Sequence, residues 1–415
     1  MKLRPVDTLS GAPGPAARPS EAEGRLRAAL DPSTLEPDVR RLASPVLEGR
    51  RRGSRGSALA REHLVARLRA GGLEPLFGGS FEQPIDARPT GRTPHATNVG
   101  ALWRSAAPRP GWVALVAHYD HLGIVRGKLR PGADDNASSV AIVLAIAGAV
   151  ARARPAYPNH LAFVFPDAEE PPDTLTARMG STRFWRSSPF PIDRLRCALV
   201  LDLMGGIADP SMREAGLGGL LFALGTEASP GLVRLVRSVA EEPSVEPVLL
   251  GLPMIETLPY VPGRRFSVSD YHGLRPFRRP FVFLSTGRSH RYHTAEDTPD
   301  SLDYPGLARR ARWCAGLAAR AADGTDDLGW EDGVVDPLAD ARATARLLRG
   351  IGAGERFPAI LRRALLADRR RVEAILERLE GGERPEGGDY RALQLACLRL
   401  QAAMWHPPGW WFALW

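Results

Sequence analysis

Lysine is almost missing from this chain of 415 residues: Lys2 and Lys128 are the only two, and arginine carries nearly all the remaining positive charge. A formal charge of +8 and a pI near 9.9 raise the question of nucleic acid. The arginines are scattered among acids, however, and the densest run, RRLASPVLEGRRRGSRG (40–56), reads as a solvated helix end and turn. No nucleic-acid partner is expected. Cysteine is also scarce: Cys197, Cys314 and Cys397 are far apart and form no CxxC pair, which excludes a disulfide framework and a cysteine-based zinc site. Three buried free thiols are the expectation. No run of about 18 uninterrupted apolar residues occurs, so no membrane span or membrane partner is expected. The first residues, MKLRPVDTLSGAPGPAARPSEAEG, lack the apolar core of a secretion signal. The sequence as it stands therefore points to the cytoplasm, with export requiring an upstream start.

What is present has an order. Residues 1–35, rich in Pro, Ala, Gly and Ser, read as a loose leading segment. Helical patterns follow at about 36–44 and 57–71, the second closed by Gly71-Gly72. WVALVAHY (112–119), HLAFVFPD (160–167), CALVLDLMG (197–205), GLLFALG (219–225) and FVFLSTG (281–287) are short apolar runs without strict alternation. Such runs are strands buried on both faces. ASSVAIVLAIAGAVARA (137–153) is apolar nearly all round, as a helix packed on a sheet must be. The expected fold is α/β, a mostly parallel central sheet flanked by helices on both faces over 36–327. About 241–272 reads as a long irregular covering stretch. Helical patterns at 336–350, 357–381 and 389–405 make 328–415 a helical C-terminal extension. It ends in Trp410, Trp411, Phe412 and Trp415, a tail expected to dock on its own domain, with self-association as the alternative.

In open α/β sheets ligands bind beyond the carboxyl ends of the strands. The residues just past these runs are His118-Tyr119-Asp120-His121, Asp134-Asp135 at a helix start, Asp167-Ala168-Glu169-Glu170, Asp202 between two leucines, and Ser289 to His293. Each motif alone is weak: acids before a helix can be a cap, and paired glutamates are usually surface charge. Asp202 is harder to dismiss, because a carboxylate inside an apolar run needs a partner or a cation. His121 and His290 read as loop residues rather than ligands.

HYDHLG (118–123), PGADDNASS (131–139), DAEE (167–170), LDLMG (201–205) and TGRSHRYHTAEDTPDSL (286–302), in that order, resemble the co-catalytic zinc aminopeptidases of metallopeptidase family twenty-eight. Bacterial leucyl aminopeptidases, glutamate carboxypeptidases and glutaminyl cyclases are relatives within that family. The resemblance runs from about 36 to 322. It implies two zinc ions per chain, one held by His118 and Asp202, the other by Glu170 and His293, with Asp135 bridging. It further implies Asp120 as the carboxylate that orients His118, Glu169 as general base, and Tyr292 as a donor to the reacting oxygen. The chemistry is consistent. Zinc accepts imidazole and carboxylate, three carboxylates against two divalent ions leave one charge for a bridging hydroxide, and a glutamate that is not a ligand is free to carry a proton. The implied activity is hydrolysis of N-terminal residues from peptide substrates. A glutaminyl cyclase-like acyltransferase is the alternative, and a catalytically inactive peptide-binding relative a further one. Ser139 stands where the family has Gly, Tyr271 replaces the His of its SDH element, and Pro171-Pro172 opens a longer loop beside the site.

Overall fold

The structure is a computed structural model that describes residues 4–5, 18–85, 96–206, 213–214, 216–256, 267–351 and 357–404. The strands of the main sheet are β1 (Glu74–Pro75), β2 (Glu82–Ile85), β3 (Ala96–Trp103), β4 (Trp112–Val116), β5 (His160–Phe165), β6 (Leu195–Leu201), β7 (Leu220–Leu224), β8 (Glu246–Leu250) and β9 (Phe281–Ser285). Their order is β8-β7-β9-β6-β4-β5-β3-β1, with β2 also paired to β3. The centre, β9-β6-β4-β5, is parallel throughout. The sheet as a whole is mixed, because β3 runs antiparallel to β5 and β7 antiparallel to β9. The apolar runs could not reveal that reversal: a strand buried on both faces looks the same in either direction.

The main helices, in chain order, are α1 (Glu21–Ala28), α2 (Pro32–Leu42), α3 (Arg55–Ala70), α4 (Ser139–Ala153), α5 (Gly180–Arg186), α6 (Pro230–Ser238), α7 (Pro253–Glu256), α8 (Tyr304–Asp323), α9 (Pro337–Ile351), α10 (Ala359–Glu380) and α11 (Asp389–Met404). The period-2 alternation of each strand divides the core in two. Val113 and Leu115 of β4 pack with α1 to α4 and α8, whereas Ala114 and Val116 belong to the opposite layer with α5, α9, α10 and α11. α4 is apolar on every side because it is a buried member of the first layer; with the turn before it, it is long and apolar enough by composition to cross a membrane, but 78% of that stretch is buried in the fold.

Three expectations need correction. The leading segment is not loose through residue 35. Asp31 caps α2 through the N–H groups of Ser33 and Thr34, with Thr34 answering to the Asp31 backbone, a capping box with proline at the first helical position. Helix α1 is docked by buried Leu26 and by an Arg27–Glu242 ion pair at 2.8 Å. The stretch 241–272 contains β8, whose Glu-Pro start and proline-rich surroundings hid a strand at the sheet edge, where proline is tolerated. Finally, Arg50 in the dense arginine run is fully buried rather than solvated. The extension behaves as read, as three helices, but it is not set apart. Leu348, Leu361 and Leu393 share one core with Val200, Leu224 and Phe281 of the sheet. The tryptophan-rich tail lies outside the described residues. All three cysteines are buried and free.

Candidate metal centre

Because β4, β5, β6 and β9 run parallel, their carboxyl ends open on one edge. His118 follows β4, Glu169 and Glu170 follow β5, Asp202 follows β6, and the chain after β9 returns His293 to the same place. Asp135 comes from an irregular turn, 133–138, that leads into α4. The predicted ligands do converge. His118 Nε2 lies 3.6 Å from Asp135 Oδ1 and 3.6 Å from Asp202 Oδ1. His293 Nε2 lies 3.1 Å from Asp135 Oδ2 and 3.4 Å from Glu170 Oε2. The two oxygens of Asp135 thus serve two neighbouring groups.

Glu169 Oε2 stands 4.0 Å from His118 Nε2, beside the first group. His121, read from the sequence as a loop residue, is buried with the second group: its Nδ1 is 2.9 Å from Glu170 Oε1 and 3.7 Å from Asp135 Oδ2. His121, Asp135 and Glu170 lie close enough together to hold one ion, as do His118, Asp135 and Asp202. Nothing in the HYDHLG spacing distinguishes the second histidine from a loop residue; only the packing does. His290 is exposed.

Backbone N–H groups and carboxylates hold this arrangement. Asp120 accepts from the N–H of Glu169 at 3.0 Å and of Glu170 at 3.2 Å, and its Oδ1 is 3.6 Å from His118 Nδ1. Ser269 donates to Asp202 Oδ2 at 2.9 Å, leaving Oδ1 toward His118. The turn carrying Asp135 is gripped by Asp297, which sequence reasoning missed, and by Asp134, read from the sequence only as an acid before a helix. Asp297 accepts from Asp134 N–H at 2.7 Å and Asp135 N–H at 3.1 Å, while Asp134 accepts from Gly205 N–H at 2.7 Å. Beneath them Arg50 donates to the carbonyl oxygens of Leu42, Tyr119, Pro131 and Gly132 at 2.6–2.9 Å. One guanidinium therefore ties the His118 loop to the Asp135 turn, and its charge sits under the acids.

The residues fit a pair of divalent cations on two grounds. Among the described residues, His118 Nε2, His293 Nε2, Asp135 Oδ2 and Asp202 Oδ1 are buried and, though close to one another, make no well-formed hydrogen bond, a costly state for polar atoms. Ligand atoms ~2.1 Å from a tetrahedral zinc stand about 3.4 Å from one another, close to the 3.1–3.6 Å at which the two histidines meet the carboxylates of their groups. The titration behaviour agrees. Burial, against the pull of His118, holds Glu169 well above the usual carboxylate range. Burial raises Asp134 to about 8 and Asp270 to about 7. Burial would lower His293, but Asp135 and Glu170 outweigh it and push the imidazole up to about 10. Glu170 moves the other way despite its burial, held low by His121 and His293. Buried acids pushed up in this way suit a site that takes positive charge, and a bound cation would draw them down again.

An apolar cavity of about 150 Å³ opens beside the cluster, with Asp202 and Tyr292 in its lining. Tyr292 stacks on His293 with ring centroids 3.8 Å apart, and the Arg288 guanidinium sits 4.8 Å over the phenol ring. Burial raises the Tyr292 phenol well above its ordinary value, so it stays protonated.

The sequence profile of peptidase family M28 matches residues 98–318. Among solved structures, LapB from Legionella pneumophila is similar at 16% identity and a TM-score of 0.57, over 74% of this chain and 76% of that one. An aminopeptidase from Aneurinibacillus sp. strain AM-1 is similar at 13% identity and a TM-score of 0.54, over 74% of this chain and 98% of that one. A glutaminyl cyclase from Porphyromonas gingivalis is similar at 17% identity and a TM-score of 0.53, over 70% of this chain and 98% of that one. At these identities the likeness is one of fold. No curated protein matches the chain.

Proposed function

We infer the activity from one premise: the chain belongs to peptidase family M28, and its cluster of candidate metal ligands suits a metallopeptidase. The reaction proposed is removal of the N-terminal residue from a peptide, by a zinc-dependent aminopeptidase that uses two ions. The observation that carries this reading is the shared use of Asp135, whose two oxygens face separate ligand groups.

His118 and Asp202 would hold one ion, Glu170 and His293 the other, with Asp135 between them. Bound zinc would polarise the scissile carbonyl and make a nearby water more acidic. Glu169 would take the proton from that water and give it to the leaving amine. It lies next to the first group, is tied to none of the ligand positions, and holds a proton readily. Asp120 fixes both partners of the step: it faces His118 Nδ1 and accepts the N–H groups of Glu169 and Glu170. Tyr292, protonated and beside His293, would donate to the oxygen on which charge develops. The apolar cavity would receive the side chain of the departing residue, which favours aliphatic or aromatic N-terminal residues.

The same fold serves glutaminyl cyclases, so the test must separate the two reactions. Wild type and Glu169→Gln are assayed against an aminoacyl-nitroanilide panel and against a peptide with N-terminal glutamine, with metal content measured. About two zinc per chain and nitroanilide hydrolysis abolished by the substitution are expected. Cyclisation of glutamine with no hydrolysis of any nitroanilide would replace the aminopeptidase reading by the cyclase one.

A further inference from the structure

The cavity beside the metal cluster is not built by the peptidase core alone. Its lining passes from Asp202 and Tyr292, through Leu224 and Phe283 on β7 and β9, to Leu347 on α9 and Cys397 and Leu400 on α11. The last three belong to the extension and are only 8%, 4% and 3% exposed. A cavity of about 150 Å³ lined by leucine and phenylalanine holds a group the size of a benzene ring, so a wall displaced by one methylene changes what it admits.

That wall is held firmly against the core. Asp340 of α9 accepts the N–H of Gly251 at 2.6 Å and the Tyr390 hydroxyl at 3.3 Å, so one carboxylate joins α9, the loop after β8 and α11. Thr344 Oγ1 lies 3.2 Å from Cys397 Sγ, joining α9 and α11 directly. Gln394 donates to the carbonyl of Pro253 at 3.1 Å, which pins α11 to α7. Helices tied at four points present a preformed surface rather than an adaptable one.

We propose that the C-terminal extension is a specificity element: Leu347 and Leu400 set the size of the N-terminal side chain the enzyme accepts. The proposal rests on the aminopeptidase reading for its consequence in catalysis, but the geometry of the cavity does not. Replacing Leu400 by alanine deepens the cavity and favours phenylalanine over leucine at the cleaved end. Replacing it by phenylalanine fills the cavity and favours alanine. One methylene in an apolar pocket changes discrimination by roughly 10–200-fold, and a tenfold shift in the kcat/KM ratio is expected for each variant.

Two readouts are taken on the full chain. The first is the kcat/KM ratio for alanyl, leucyl and phenylalanyl nitroanilides, with Leu366→Ala on the exposed face of α10 as control. The second is binding of isobutylamine and benzylamine to metal-stripped protein, followed by ligand-observed NMR, with circular dichroism confirming that each variant is folded. Opposite shifts for Leu400→Ala and Leu400→Phe in either readout, absent from the control, support the proposal. If nitroanilides are not hydrolysed but benzylamine binding is lost in Leu400→Phe, the extension still forms the wall and only the aminopeptidase reading falls. Unchanged ratios and unchanged amine binding in folded variants overturn the proposal, as does a failure of either amine to bind wild type together with unchanged ratios. Should Leu400→Phe fail to fold, Leu347→Met and Leu347→Ala replace it in the same scheme.

Discussion

Asp297 receives the backbone N–H of Asp135 at 3.1 Å, so the residue whose two oxygens face both candidate ligand groups is held by a carboxylate that belongs to neither. Removing such support typically weakens a metal site by ~10–100-fold. Asp297→Ala is expected to lower zinc affinity by about that factor, measured by competition with a chromophoric chelator. Affinity equal to wild type would show that the turn holds its shape without Asp297.

Glu169→Gln keeps the size and most of the polarity of the side chain but cannot take a proton. Peptide hydrolysis should fall by about 10²–10⁴-fold while metal content stays unchanged. Loss of metal in this variant would mean that Glu169 is a ligand, although it is not among the residues close enough together with His118 to hold one ion.

Chelation should destabilise the fold, because it returns several buried acids and two histidines to a site with orphaned polar atoms. A ligand present at 100 times its dissociation constant adds about 2.7 kcal/mol of stability. Dialysis against a strong chelator is therefore expected to lower the melting temperature and added zinc to restore it. A melting temperature indifferent to zinc would argue against metal binding altogether.

Arg50 offers a test away from the chemistry. Arg50→Met fills similar space but abandons four buried carbonyl oxygens, and each buried unsatisfied group costs ~1–3 kcal/mol. A loss of several kcal/mol in urea unfolding is expected. A loss below about 1 kcal/mol would mean that water takes over the guanidinium's bonds.

Glu227 predicts a pH dependence. Burial pushes its carboxyl up from 4.5 to about 7, so the folded state binds the proton more tightly than the unfolded one. Its unfavourable effect is absent at acid pH, grows as pH rises from about 4.5, and is complete above about 7. Glu227→Gln keeps an oxygen to accept the Leu252 N–H and should raise the melting temperature at pH 8, by roughly a degree or two, with little change at pH 4.5. Equal shifts at both pH values would assign the gain to something other than titration.

The sequence made much of this legible, and the limits have physical causes. The layered α/β plan and the three extension helices follow from apolar periodicity, which burial imposes on any sequence. Strand direction does not, since β3 and β7 carry the same apolar pattern as their parallel neighbours. The five candidate ligands could be named because their motifs, in order, resemble those of a known metallopeptidase family, and the residue types at the strand ends agree with it. Their supports could not: Asp297, Asp134, His121 and Arg50 act through backbone groups or through neighbours distant in the chain, and an arginine in a basic run looks solvated until its carbonyl partners are seen. β8 was lost for a related reason, since its opening Glu-Pro reads as a turn unless the strand is known to lie at an edge.

The core shared between the extension and the sheet bears on how the molecule is made. Leu224 and Phe281 emerge from the ribosome well before Leu361, Leu393 and Leu400, the residues that cover the same face. At ~5–20 residues per second, roughly six to twenty-four seconds separate the end of β9 from the end of α11. Through that interval the nascent sheet displays a bare apolar face. Exposed apolar surface of this kind is what makes a folding intermediate prone to aggregation, and the cavity beside the candidate ligands is among the last parts of the molecule to form.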